Sequence, residues 1–390
     1  MTKILEEAQS LFEYTRDLRR DFHMHPELGF QEVRTADIVA RELTNLGLKV
    51  KTGVSRTGVI ALLEGKHPGP VVLLRFDMDA LPIIEETGAS YASQSAGVMH
   101  ACGHDGHTAI GLTVARLLEK HHTEFYGTVK FIFQPAEEGL GGAEGMIAEG
   151  ILENPRPQVA LALHLWNEKP VGWLGIAPGP VMAASEIFTI RLIGKGGHGA
   201  MPNLSIDPVL AAAQVINGLQ SIVSRNVPPL KTAVVTVATI HAGEAFNVIP
   251  GEVEMKGTIR TFEPDIRARV IDRFQMIVKD VGHAMDCEVY LEVKALTPAV
   301  INDPDISLRV QKVASQLLPE DQLDHQIMTM GSEDMAFLLQ KIPGCFIFIG
   351  SANKEKNLVA SHHHPKFDFD EAILPKAVGL MTESALEFLK

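Results

Sequence analysis

Four short apolar runs set the architecture of this chain. Val71–Phe76 (VVLLRF), Thr128–Phe133 (TVKFIF), Val159–Leu163 (VALAL) and Cys345–Ile349 (CFIFI) are mostly unbroken rather than alternating, the form taken by strands covered on both faces. Helix-length periodic segments separate the runs in the first half, which implies parallel strands crossed by helices. Each run leads into polar chemistry: the first into Asp77 and Asp79, the second into Gln134, Glu137 and Glu138, the third directly into His164, the fourth into a loop ending at His362, His363 and His364. Ligands of open α/β sheets sit outside the carboxyl ends of the strands. These groups are therefore expected on one rim.

Between Ala183 and Lys294 the texture changes to alternating strands at Ile187–Ile193, Thr232–Ile240, Glu252–Thr261 and Glu288–Lys294. Two helical stretches lie among them: Asp207–Arg225, opening with Asp-Pro, and Glu263–Gly282, opening with Glu-Pro-Asp. An acidic cap with proline at the first helical position is a helix start. The order β-α-β-β-α-β is the ferredoxin-like arrangement, complete in about 110 residues. The first domain's texture resumes afterwards. The expectation is thus a discontinuous α/β domain, residues 1–183 and 295–390, with an inserted α+β domain at 184–294. A length of 390 residues, of which 46% are hydrophobic, fits two cores better than one.

Charge narrows the partners. The 48 acidic against 35 basic side chains leave a formal charge of −13, which repels polyanions and argues against nucleic acid or an anionic membrane. The first twenty-two residues read as a charged amphipathic helix without the apolar core of a signal peptide. No apolar run approaches the roughly 20 residues of a membrane span. Cys102, Cys287 and Cys345 are too few and too scattered for a disulfide framework, so a soluble, cytoplasmic protein is expected.

The chemistry concentrates in a few segments. HACGHDGH (100–107) places Cys102 two residues before His104, ahead of a helix expected to begin near Thr108. In a turn or extended segment these side chains face the same way and can reach one metal or two adjacent ones. QPAEEGLGGAEGM (134–146) sets adjacent carboxylates, Glu137 and Glu138, at a strand end. Like charges there repel unless a cation or proton neutralises them, and one can bind an ion while its neighbour carries a proton. His164 ends an apolar run, and at most one of His362–His364 is expected to bind metal because consecutive side chains diverge. GKGGHGAMP (194–202) is a poor phosphate loop, since no helix start follows closely. A histidine, His198, on a glycine hairpin fits a group that reaches into a cleft. An exposed Cys102 is also expected to be oxidation-sensitive without metal.

Taken jointly, HMHPELGFQE (23–32), DMDALP (77–82), HACGHDGH, QPAEEG, HLW (164–166), GKGGHGAMPN, GTIRTF (257–262), GSEDMAFL (331–338) and HHHPKFDFDE (362–371) resemble the M20 metallopeptidase family over nearly the whole chain. The closest likeness is to its amidohydrolase branch of hippurate and auxin-conjugate hydrolases. That resemblance implies a zinc-peptidase-like, mostly parallel sheet flanked by helices, with the inserted domain as a lid or dimerisation domain. It implies that Cys102, His104, Glu138, His164 and His363 bind two divalent metals. His363 is the terminal histidine that fits the family's His-x-Pro pattern. Glu137 becomes the general acid/base and Asp79 an orienting group rather than a ligand. The wider family often has His-x-Asp where this chain has Asp77-Met78-Asp79, so the ligand set differs from that of aminopeptidase-like relatives. His198 is implied in transition-state stabilisation, in relatives often offered across a dimer interface, and Asn247 with Arg260 in holding the substrate carboxylate.

The implied reaction is hydrolysis of an N-acyl amino acid to a carboxylate and a free amino acid by a metal-activated water. A thiolate suits zinc, while carboxylates and histidines also accept manganese, cobalt or nickel. The implied partners are a small-molecule substrate and other copies of the chain, as a homodimer or higher homo-oligomer. Two alternatives differ in consequence: a dipeptidase or carboxypeptidase of the same family, and a binder of carboxylated ligands without turnover.

Overall fold

The computed structural model describes residues 2–317, 319 and 322–390. Two compact units emerge: Met1–Val181 with Val300–Met328 and Asp334–Lys390, and Met182–Ala299 with Thr329–Glu333. In the first, β1 (Lys49–Val54), β2 (Gly58–Glu64), β3 (His67–Asp77), β4 (Tyr126–Gln134) and β5 (Val159–Pro170) join a later strand, Gly344–Ala352, and two two-residue strands in one eight-stranded sheet. The order from one edge is β1-β2-β4-β3-β5 and then Gly344–Ala352. β3 runs parallel to β4 and β5, and β5 parallel to Gly344–Ala352; β1 and β2 are antiparallel additions.

The unbroken apolar runs take the central positions because both faces are covered. Val72, Leu73 and Leu74 in β3, and Phe346, Ile347 and Phe348 in Gly344–Ala352, have no exposed surface, and each such side chain contributes about 1.5–3 kcal/mol on burial. The covering helices include α1 (Lys3–Ser10), α2 (Phe12–Met24), α3 (Val33–Asn45), α4 (His104–Lys120) and the C-terminal helix Leu374–Glu387. The N-terminal amphipathic stretch is two helices rather than one, since Leu11 leaves helical geometry at ψ 8°. A short helix, α5 (Gly142–Ala148), follows the acidic turn after β4.

Two expectations fail locally. β5 does not stop before His164 but continues to Pro170, so His164 lies within a strand. α4 starts at His104, not near Thr108: Gly103 is its cap at φ +94°, and Gly106 lies inside it. Gly106 serves packing there, because a Cβ would sit 2.7 Å from Leu165 Cδ1 and 2.8 Å from Phe369 Cζ.

The second unit holds β6 (Ala184–Ile193), β7 (Gly197–His198), β8 (Ala233–His241), β9 (Val248–Ile249), β10 (Glu252–Thr261) and β11 (Glu288–Thr297), with helices α6 (Pro208–Ser221) and α7 (Pro264–Ala284). Its sheet order, β8-β10-β6-β11, is antiparallel throughout, the ferredoxin-like βαββαβ topology. Asp207 caps α6 by accepting from the Val209 and Leu210 amides at 2.9 and 3.2 Å. That helix ends at Ser221, and Ile222–Asn226 form a π turn instead of carrying the α-helix on to Arg225. Among the described residues no helix is long and apolar enough to cross a membrane.

Candidate metal centre

Gly103 turns the chain so that Cys102 precedes α4 and His104 opens it. His104 Nδ1 lies 2.9 Å from the Asp79 carbonyl and 3.2 Å from its carboxylate. Both are acceptors, so Nδ1 carries a proton and Nε2 is the nitrogen left for an ion. That Nε2 is buried without a hydrogen-bond partner among the described residues. His164 is arranged the same way: Nδ1 donates to the Leu165 carbonyl at 2.7 Å, and Nε2 faces Cys102 Sγ at 3.5 Å. A second buried acceptor, Glu138 Oε1, has His363 Nε2 3.0 Å away.

Donor atoms of Cys102, His104 and His164 fall within 4.8 Å of one another, and so do those of Cys102, Glu138 and His363. Cys102 belongs to both triples. A soft thiolate shared between two sets of imidazole and carboxylate donors fits a pair of divalent ions. His104, Glu137 and Glu138 form a further triple by the same criterion. The three consecutive histidines separate cleanly. His363, at φ +63°, reaches Glu138. His362 instead donates Nε2 to the Leu165 carbonyl at 2.9 Å against Trp166, and His364 Nδ1 accepts from the Lys366 amide at 3.0 Å.

Electrostatics follow this geometry. Burial, reinforced by His107 and His362, holds His164 well below the usual imidazole range and therefore neutral. Cys102 and Glu138 together raise His363 to about 10. Burial would lower His104, but Asp77 and Cys102 outweigh it and raise it. Burial pushes the Cys102 thiol up, with Glu138 adding to the effect. The residue is half-buried, less open than the sequence implies.

Beneath the donors lies a layer of which the sequence singled out Asp77, Asp79 and Gln134 but not His107, Arg75 or Asp334. His107 Nδ1 donates to Asp77 Oδ1 at 2.6 Å while its Nε2 accepts from the Leu165 amide at 2.9 Å, so both nitrogens are committed. Asp79 bonds His104 through one oxygen and accepts the Glu138 amide at 3.0 Å through the other. Buried Arg75 donates to Gln134 at 2.9 Å, Asp77 at 2.5 Å and Asp334 at 2.9 Å, and the Asp334 amide approaches Glu137 Oε1 at 3.4 Å. A charged residue inside the apolar run VVLLRF was the available signal for Arg75. Of its partners only Asp77 is close in sequence; Gln134 and Asp334 lie too far along the chain to name.

In the second unit, β7 and β9 pair His198 with Val248, and the Gly199 amide donates to the Asn247 carbonyl at 2.8 Å. His198 and Asn247 are thereby neighbours on one exposed two-stranded ladder. Arg260 lies on β10, half-buried, with Nη1 buried and lacking a hydrogen-bond partner among the described residues. Burial lowers its pKa and Glu186 opposes that. An uncommitted guanidinium nitrogen is suited to a ligand carboxylate.

Residues 73–387 match peptidase family M20/M25/M40. The chain is 40% identical over 375 residues to the N-acetylcysteine deacetylase of Bacillus subtilis, covering 96% of each. It is 38% identical to IAA-amino acid hydrolase ILR1-like 4 of Arabidopsis thaliana, over 99% of this chain and 89% of the relative. Its fold superposes with a TM-score of 0.85, at 36% identity and 98% and 99% coverage, on the crystal structure of the Bacillus subtilis YXEP protein, described as a dinuclear metal binding peptidase.

Proposed function

The chain belongs to peptidase family M20/M25/M40, in its amidohydrolase branch, and on that footing we propose how it acts: it is a metal-dependent hydrolase that cleaves N-acyl amino acids into a carboxylate and a free amino acid. The observation that carries the reading is the pair of donor triples sharing Cys102, with Glu137 in a further triple beside them. Cys102, His104 and His164 would hold one divalent ion, and Cys102, Glu138 and His363 the other. Ions bound there would lower the pKa of a water and polarise an amide carbonyl. Zinc suits the thiolate, and manganese, cobalt or nickel suit the remaining donors.

Glu137 takes the proton of the attacking water and returns it to the leaving nitrogen. Asp79 fixes the His104 tautomer and the Glu138 backbone, as groups behind metal ligands commonly do. His198 steadies the developing oxyanion, and Arg260 with Asn247 holds the substrate carboxylate. We further propose a cytoplasmic homodimer or higher homo-oligomer acting on a small molecule. The exposed Phe246, Val248 and Ile240 of the second unit support such an interface.

Glu137→Gln tests the reading. It should retain metal while losing about 10²- to 10⁴-fold in kcat, the worth of a positioned acid/base group. Lost metal with the activity would mean that Glu137 is a ligand instead. Amine release from N-acetyl, N-benzoyl and dipeptide substrates, with and without chelator, separates the amidohydrolase from a dipeptidase and from a non-catalytic binder.

A further inference from the structure

Ala136 stands immediately before Glu137 and holds a left-handed φ of +54°, a conformation that a β-carbon disfavours. Such a residue persists only where its surroundings over-determine it, and two contacts from the segment HMHPELGFQE do so here. Glu32 Oε1 accepts the Ala136 amide at 2.9 Å. Gly29 presses on the same residue so closely that a Cβ built there would lie 3.1 Å from Ala136 Cβ and 3.2 Å from its Cα. Glu32 has no exposed surface, and its second oxygen accepts the Thr57 hydroxyl at 2.5 Å. The carboxylate is thus held at both ends. On its far side the turn is closed by the Gly142 amide, which donates to the Ala136 carbonyl at 3.1 Å.

We infer that Glu32 is a positioning residue for the hydrolysis: by gripping the Ala136 amide it holds the left-handed turn that aims the Glu137 carboxylate. The inference rests on the reading of Glu137 as the proton carrier. It gives a reaction-linked role to the segment 23–32, which supplies none of the donors. Glu32 touches neither substrate nor ion in this account and acts only through the backbone. A purely structural glutamate would instead support the fold without regard to what the Ala136 backbone does.

The test separates these roles with purified, metal-loaded protein and an N-acyl amino acid substrate. Glu32→Ala should lower kcat about 10- to 100-fold, the scale of a misplacement near 1 Å at a reacting group, with KM within about twofold and metal content unchanged. Glu32→Gln keeps an acceptor for the Ala136 amide and should stay within about threefold of wild type. Ala136→Gly removes the β-carbon that resists the turn, so adding it to Glu32→Ala should recover about tenfold in kcat. Wild-type kcat in Glu32→Ala, or a loss that neither Gln nor Ala136→Gly relieves, overturns the inference. Should Glu32→Ala not fold, Thr57→Val removes only the donor to the second oxygen; a fall of about three- to tenfold supports the inference, and an unchanged kcat overturns it. Glu137→Gln run alongside keeps the two readings apart. If it stays active with metal bound, both fall; if it is inactive while Glu32→Ala is fully active, only the role of Glu32 falls.

Discussion

His104 and His164 each commit one ring nitrogen to a backbone carbonyl and turn the other toward Cys102, which makes the thiol the decisive residue at this scale. Burial raises its pKa, so at pH 7 the metal-free side chain is a thiol, not the reactive thiolate. Thiol titration of metal-free native protein should therefore be slow at pH 7 and accelerate as pH rises past about 8.5, the ordinary cysteine value. Metal should suppress it throughout. Cys287 and Cys345 are buried with raised pKa values, Cys345 to about 12, so one thiol of three should respond. Rapid labelling at pH 7 would show that the pocket leaves Cys102 ionised. The Cys-x-His spacing was legible because the two side chains are neighbours in the chain. The separate fates of His104 and His107 were not legible, since they depend on Asp79 and on the Leu165 amide, which the sequence places elsewhere.

At the scale of elements, the turn between β4 and α5 shows what a local pattern can and cannot announce. Its glycines mark a turn, but not which one is indispensable. A Cβ on Gly142 would fall 1.7 Å from the Pro135 carbonyl oxygen and 3.1 Å from that of Ala136, so the backbone would have to move. Gly142→Ala is accordingly expected to lower kcat at least about tenfold through displacement of Glu137. Gly139→Ala, with open space around it but a φ of +75°, should cost about 1 kcal/mol in stability and less in activity. Steady-state rates and thermal melts of both variants check this ordering, and equal activities would refute it. Asp-Pro at 207–208 was read correctly as a helix start because the cap is local chemistry. Two glycines hid the true start of α4, because Gly106 is demanded by Leu165 and Phe369 across the core rather than by a loop. β5 outran its apolar run for a similar reason: Asn167 stays inside the strand by donating to the Ala360 and Asp368 carbonyls at 2.8 and 3.0 Å.

The largest scale is governed by charges that a sequence cannot pair. Arg19, wholly buried on α2, donates Nε to Asp105 at 2.8 Å, Nη2 to Asp368 at 2.7 Å and Nη1 to Glu371 at 3.2 Å. The Asp368 contact spans 349 positions of sequence. This guanidinium ties the N-terminal helices to the start of α4 and to the chain beyond the three histidines, so it closes the first unit around its candidate metal centre. Removing one partner of a buried charge cluster strands the others and typically costs about 3–5 kcal/mol. Arg34, paired with Asp21 at 2.9 Å where both side chains are over a third exposed, should cost at most about 1 kcal/mol. Arg19→Met and Arg34→Met compared by urea unfolding at fixed metal loading should differ accordingly at pH 7. Acid should narrow that difference. Burial would raise Asp105, yet Arg19 and His23 hold it well below the usual carboxylate range. A carboxylate depressed in the folded state stabilises above its unfolded value, near 3.9, and loses that contribution as pH falls below it. The deficit of Arg19→Met should therefore be full at pH 7 and shrink as the pH is brought to about 3. A deficit at pH 7 no larger than that of Arg34→Met, or one undiminished in acid, would show that Arg19 contributes through packing against Phe369 and Tyr91 rather than through its charge.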